Sequence, residues 1–331
     1  MVLRLLKRTG PGVLFIILVI FSAVWAGAFL NPHSPVAFTY ETEPMPLYAL
    51  LKLVFGSNSL YGLIFTVSQV AVVAFLLTTI NSSGGLNDEK SLLPALIYIL
   101  FGGFFPQYQV FNPALTASVF LLIAISRIMD GYNKPGIIYN FFDAAFLIST
   151  GSLFYANLIW FGVLVFIGIA ILRTGNITEL AISVAGLIAP YFITFGILYV
   201  AGRDPFELWQ LVVVNLFEKI DFYHFTILSL VAVFIVIAGV LASIGNLARL
   251  MNTKKIKSRK IFSLQVSTFL ISVVIFFAVP SASIEMIWLM IIPASYFLSF
   301  YLIYTKKRLI PELYFLVLLL IVFFIQISSL K

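Results

Sequence analysis

Apolar runs long enough to cross a bilayer follow one another from residue 11 to residue 328 of this chain, with short polar breaks between them. A spanning helix needs roughly 20 mainly apolar residues. On that criterion the runs are 11–30, 59–80, 92–105, 114–130, 137–154, 157–172, 178–201, 225–247, 263–280, 284–304 and 310–328. The sequence therefore predicts an all-α, polytopic transmembrane bundle of about eleven spans, forming one integral membrane domain over 1–331. Run 92–105 is short. Residues 137–172 read either as two tight helices or as a broken pair hinged near Gly151 and Asn157, so ten or twelve spans also fit. Composition agrees: only 10% of the residues are charged, against roughly 25% in soluble domains. Such a chain cannot cover a water-facing surface, and no soluble domain or internal repeat stands out.

Several chemistries are closed by what is missing. Cysteine is absent and the histidines are His33 and His224 alone, so there is no disulfide framework, thiol nucleophile, Cys site or His-rich metal centre. The net charge of +7 raises nucleic acid, but the basic residues form short clusters at the ends of apolar runs, without interleaved aromatics. That pattern orients a membrane protein; it does not bind a phosphate backbone.

Cytoplasmic connections carry an excess of Lys and Arg. With the N-terminus in the cytoplasm, 16 of the 20 basic residues fall inside, and only Lys52, Arg203, Lys219 and Lys331 fall outside. Arg4, Lys7 and Arg8 precede the first run, which is longer than a usual signal core and reads as a retained helix. The expected location is the inner membrane of a bacterium.

Two outer connections are long, 31–58 and 202–224. The second opens with Asp204 as N-cap, Pro205 at the first helical position and Glu207 three residues after the cap. At 100° per residue Glu207, Gln210, Asn215, Glu218, Lys219 and Asp221 share one half of a helix, opposite Phe206, Leu208, Leu211, Val212 and Phe217. This predicts an interfacial amphipathic helix.

Candidate chemistry gathers on the same outer side. Glu41 and Glu43 lie two apart in Tyr40-Glu41-Thr42-Glu43-Pro44, so both carboxylates project from one side of an extended segment. Such a pair can act as general base or hold a divalent cation, and it also suits plain solvation of a surface loop. No cofactor is otherwise called for. Lys52 and Arg203 sit beside apolar surface at headgroup depth, where they can pair with a lipid phosphate or snorkel. Gln107, Tyr108, Gln109 and Asn112, bracketed by Pro106 and Pro113, form a corner that can line a headgroup pocket or join the aromatic belt. Asp143 lies well inside a run with Asn140 one turn before it and Thr150 two turns after. It is either a relay group or a hydrogen-bonded knot with Arg127 or Lys134.

Over roughly residues 11–225 the order of these features resembles a known family. A first span leads to an outer acidic loop and then to Met45-Pro46-Leu47-Tyr48-Ala49-Leu50-Leu51-Lys52. Lys90-Ser91-Leu92-Leu93-Pro94-Ala95-Leu96 and Phe105-Pro106-Gln107-Tyr108 follow. This is similar to bacterial GT-C glycosyltransferases of the dolichyl-phosphate-mannose-protein-mannosyltransferase type, with 226–331 as additional C-terminal spans. In those enzymes the first outer loop carries the catalytic acid and the fourth a juxtamembrane helix. The resemblance implies a transferase using a polyprenyl-phosphate-linked sugar, with Glu41 or Glu43 as base and Arg203 with Lys52 on the phosphate. The chain departs from the enzymes where Glu-Thr-Glu replaces an adjacent acidic pair and the Gln107–Gln109 corner lacks charge. It is also similar, over Arg4–Leu30 and Phe141–Arg173, to membrane proteins of Bacteroidota that carry no assigned activity. Two further readings stand beside the transferase. One is a non-catalytic subunit or assembly factor of an envelope complex, with lipids or other membrane proteins as partners. The other is a transporter or flippase, disfavoured by the scarcity of charge within the runs.

Overall fold

The computed structural model describes residues 10–31, 43–56, 58–83, 91–132, 139–173, 177–204, 206–218, 227–251, 253–305 and 309–329. Among them every regular element is helical. In chain order the helices are α1 (Pro11–Leu30), α2 (Pro46–Phe55), α3 (Ser59–Ser83), α4 (Leu93–Gly102), α5 (Pro113–Asp130), α6 (Tyr139–Ser152) and α7 (Gly162–Leu172). They continue with α8 (Ile177–Val200), α9 (Phe206–Phe217), α10 (Ile227–Met251), α11 (Ile256–Ala278), α12 (Ile287–Tyr304) and α13 (Leu309–Ser329). Three 3-10 turns, Pro106–Tyr108, Ala156–Phe161 and Ile284–Met286, interrupt the sequence of helices. Pro11, Pro46, Pro94 and Pro113 occupy first-turn positions, where a missing N–H and a preset φ favour helix entry.

Eight segments are long and apolar enough to cross a membrane: α1, α3, α5, α8, α10, α11, α12 with its preceding 3-10 turn, and α13. They coincide with eight of the eleven expected runs and fit a polytopic membrane protein. The other three runs, 92–105, 137–154 and 157–172, are helical but shorter, as α4 (10 residues), α6 (14 residues) and α7 (11 residues). At 1.5 Å per residue α4 is about 15 Å long, half of a roughly 30 Å hydrocarbon core.

Packing explains why α4 is short. All ten of its residues are buried, enclosed by α1, α3, α12 and α13. It never faces lipid, so its length is set by its neighbours and not by bilayer thickness. Close approach requires small residues at two crossings. A Cβ on Gly102 would lie 2.9 Å from the Trp288 ring, and one on Gly186 would lie 2.7 Å from the Phe142 carbonyl oxygen. The first seats α12 on α4; the second lets α8 press against α6. Long apolar side chains such as Phe75, Phe192, Phe234 and Phe277 remain exposed on the outside, as a lipid-facing surface demands.

The bundle has two chemically distinct ends. At one, Leu47 N–H donates to the Leu153 carbonyl (3.1 Å), Asn215 to the Glu43 carbonyl (2.8 Å) and Ser281 to the Leu216 carbonyl (2.9 Å). This brings α2, the α6–α7 connection, α9 and the α11–α12 connection together. At the other end lie Gly131, Arg173 and Lys260, which join neighbouring helices by the contacts described below. Described residues from expected cytoplasmic connections, Arg173 and Lys260 among them, therefore meet at one end of the molecule, and described parts of both long outer connections meet at the other.

Candidate functional site

α9 organises the end that carries α2. Its start is capped as expected: the Asp204 carboxylate accepts from Phe206 N–H at 2.9 Å, and the Asp204 carbonyl accepts from Glu207 N–H at 3.1 Å. Pro205 lies outside the described residues. The helix has three faces instead of the expected two. Leu208, Asn215 and Leu216 are buried against protein, Phe206, Trp209, Val213 and Phe217 form an exposed apolar stripe, and Glu207, Gln210 and Glu218 are exposed and polar. This corrects the sequence reading at one residue. Leu208 lies on the apolar side as expected, against the bundle, whereas Asn215 leaves the polar face to donate to the carbonyls of Glu43 (2.8 Å) and Leu211 (2.9 Å). One face of α9 is thus docked on the bundle, and the other two, one apolar and one polar, are exposed, a division that suits a helix at a membrane interface.

Beneath it a small apolar core joins Met45, Leu153, Ala156, Leu208 and Leu216, with Leu47, Tyr191 and Leu198 packed against them. α2 leans away from this core on aromatic pairs. Tyr48 stacks on Phe111 (5.2 Å) and Phe55 on Phe65 (4.2 Å), while Leu50, Leu53 and Val54 stay exposed. Together α2 and α9 form a shelf with two exposed apolar stripes.

The candidate residues distribute over this shelf unevenly. Glu43 is exposed, with its backbone carbonyl tied to Asn215, and Glu41 lies outside the described residues. Lys52 is half-buried on α2, one turn beyond Tyr48. Arg203 is exposed just before α9, beside a helix start that Asp204 already fills. Nine helical steps separate Phe206 from Asn215, roughly 14 Å of helix axis. Arg203 and Glu43 thus stand at opposite ends of α9. Pro46 and Lys52 are six steps apart, roughly 9 Å, so Lys52 is the nearer cation by chain geometry. Among the described residues no group of three or more His, Asp or Glu gathers to hold a metal.

The Pro106–Pro113 corner is turned inward. Gln109 is buried and donates to the carbonyls of Val24 and Gly102 (both 3.3 Å), while Gln326 donates to the Gly103 carbonyl (2.9 Å) and to Gln109 Oε1 (3.4 Å). Asn112, also buried, caps α5 by accepting from Leu115 N–H at 3.0 Å. These two side chains tie α1, α4 and α13 together and set the start of α5. Gln107 is half-buried and Tyr108 buried. Burial pushes the Tyr108 phenol up to about 12, a hydrogen bond from Gln107 opposes the shift, and charge on Glu285 adds to it.

That last residue is what sequence reasoning missed. Glu285, at the edge of the 284–304 run, is only 2% exposed. Its Oε1 accepts from the Tyr155 hydroxyl (2.9 Å) and from Ser283 N–H (3.2 Å). Asn157 donates to the Tyr155 hydroxyl (3.3 Å) and accepts from the Ser281 hydroxyl (3.1 Å), which also reaches the Leu216 carbonyl. The result is a buried polar network linking the α6–α7 connection, α9 and the start of α12. The available signal was modest: a carboxylate in Ser281-Ala282-Ser283-Ile284-Glu285 running straight into an apolar segment.

At the opposite end the polar groups act as staples. Arg173 pairs with buried Glu179, donates to the Gly131 carbonyl (3.2 Å) and lies over the Phe141 ring (5.9 Å). Lys260 donates to the Leu172 carbonyl (3.3 Å) and lies over Tyr132 (5.5 Å). Each cation thereby meets the carbonyls at a helix C-terminus, where the helix dipole favours positive charge. Asn140 is buried and Asp143 half-buried on α6. Arg127 is exposed and makes no ion pair with Asp143; Lys134 lies outside the described residues.

The model of a family of unknown function, DUF6427, matches residues 47–331. No curated protein and no solved structure matches the chain.

Proposed function

The chain belongs to the DUF6427 family, whose function is unknown, and from that premise we propose that it handles a lipid-borne phosphate at one membrane face, in the manner of a GT-C glycosyltransferase using a polyprenyl-phosphate-linked sugar. The α2–α9 shelf carries this reading. A phosphate whose tail stays in hydrocarbon has to be met at headgroup depth, and the position of Lys52 and Arg203 beside exposed apolar residues of the shelf supports that reading. Glu43, with Glu41 beside it in sequence, supplies the base, and Lys52 holds the phosphate. Arg203, at the far end of α9, contacts a separate lipid headgroup. The shelf faces outward from the inner membrane of a bacterium and the Arg173 end faces the cytoplasm, in accord with the 16-to-4 division of basic residues. Reporter fusions at Ser83, Met129 and Lys255 are expected to read cytoplasmic and those at Pro35 and Asp221 external. An external signal at Lys255 overturns the orientation.

A second reading, a non-catalytic subunit of an envelope complex, is favoured by the separation of Glu43 from Arg203 along α9. Binding separates it from a lipid-phosphate protein. In nanodiscs containing undecaprenyl phosphate, native mass spectrometry of the wild-type chain should retain the lipid. A hydrogen bond to a charged group contributes about 1.5–3 kcal/mol, so Lys52→Ala should weaken retention by roughly tenfold or more. Arg203→Ala should leave it within about threefold. Equal losses in both variants would place the two cations on one ligand. No loss in either would leave the subunit reading.

A further inference from the structure

We propose that Glu285 is the centre of a buried cation site, occupied in the folded protein by one monovalent positive charge: a proton or a sodium ion. The argument rests on which partners the carboxylate has. It is 2% exposed, and Oε1 accepts two hydrogen bonds, from Tyr155 and Ser283 N–H. Its second oxygen, Oε2, is buried and completes no hydrogen bond among the described residues; the buried Ser283 hydroxyl and the Glu285 N–H act on the carboxyl, the hydroxyl without closing a full hydrogen bond. No Lys, Arg or His among the described residues pairs with it; the ion pair recorded there is Arg173 with Glu179, at the opposite end.

The surroundings supply oxygen and no charge. The turn bearing Glu285 packs on α5 and α12. The charged residues of α5 are Arg127 and Asp130, at its far end, and α12 has none. The titratable groups facing the carboxyl are the phenols of Tyr155 and Tyr108. On α9 the nearest charged residue to the Leu216 contact is Glu218, which is exposed. An ionised carboxylate buried without a counter-charge costs several kcal/mol, and an unmatched buried polar atom calls for a ligand. A proton on Oε2 neutralises the group outright. A sodium ion satisfies Oε2 and the Ser283 hydroxyl together, as an oxygen-seeking cation does. Either occupant completes the network that joins Asn157, Ser281 and the Leu216 carbonyl, so the docking of α9 depends on it.

The sign of the effect follows from linkage. A folded state that binds a proton the unfolded chain releases loses stability as pH rises. Full-length protein in nanodiscs would be unfolded thermally across about pH 5–9, in choline chloride and in sodium chloride at equal ionic strength. The wild type in choline should lose on the order of 2–4 °C or more as pH rises. If sodium is the occupant, sodium chloride restores the loss at high pH; if the proton alone binds, it does not. Glu285→Gln, which carries no charge, should be flat in both salts. Tyr155→Phe removes a donor to Oε1, keeps the ring and should move the pH midpoint, which keeps the test open should the glutamine variant fail to fold. A wild type insensitive to both pH and sodium overturns the site, as does a glutamine variant that keeps the wild-type dependence or an unmoved midpoint in Tyr155→Phe.

Discussion

Replacing Arg173 by alanine is expected to destabilise the folded chain by about 3–5 kcal/mol, because it leaves the Glu179 carboxylate buried without its cation. Glu179 is 3% exposed, and its Oε2 already lacks a hydrogen bond among the described residues. The same substitution removes the donor to the Gly131 carbonyl and the cation over Phe141, loosening the junction of α5, α6 and α8. Adding Glu179→Gln removes the stranded charge, so the double variant should recover a large part of the loss. Chemical unfolding of the purified protein in detergent measures both. A single variant within about 0.5 kcal/mol of wild type would show the pair to be solvated in practice and the staple to be dispensable.

Glu43→Ala should lower envelope glycan assembly by on the order of 10²–10⁴, the range for loss of a general base, if the lipid-phosphate reading is right. The carboxylate is exposed and its backbone is held by Asn215, so removing the side chain leaves the shelf intact. Protein levels matched to wild type therefore make the loss a statement about chemistry. Glu41→Ala belongs in the same experiment, because either carboxylate of the Glu-Thr-Glu segment can take the proton from an acceptor hydroxyl. Full activity in both variants assigns the chain to the non-catalytic class, with the shelf serving lipid or partner helices.

Hydropathy made the long helices legible, since each of the eight segments able to cross a membrane coincides with an apolar run of the sequence. It also marked run 92–105 as short but not why: the length of α4 answers to burial within the bundle, a property of its neighbours. The Asp204 cap was legible because capping is local: three or four residues decide it. Asn215 was assigned to the polar face because periodicity knows two faces, apolar and polar. A docked interfacial helix has a third, and a buried Asn can serve there when it finds a carbonyl such as that of Glu43, 172 residues away in sequence. Glu285 escaped for the same reason: its hydroxyl donor, Tyr155, stands 130 residues earlier. A carboxylate at the edge of an apolar run looks like a loop charge until the tertiary structure closes over it. Gln109 and Asn112 read as pocket residues because both are polar beside prolines, and the carbonyls and N–H that hold them belong to helix ends and to distant helices.

Arg173 and Lys260 carry a consequence for how such a chain can change over generations. Two of the cations that the expected orientation counts as cytoplasmic are the same ones that close the C-terminal ends of α5 and α7. On the expected orientation, these two positions therefore answer to packing as well as to charge. Replacing either one to change the charge of its connection would also open a helix junction, so charge cannot be redistributed at Arg173 or Lys260 without a cost in assembly.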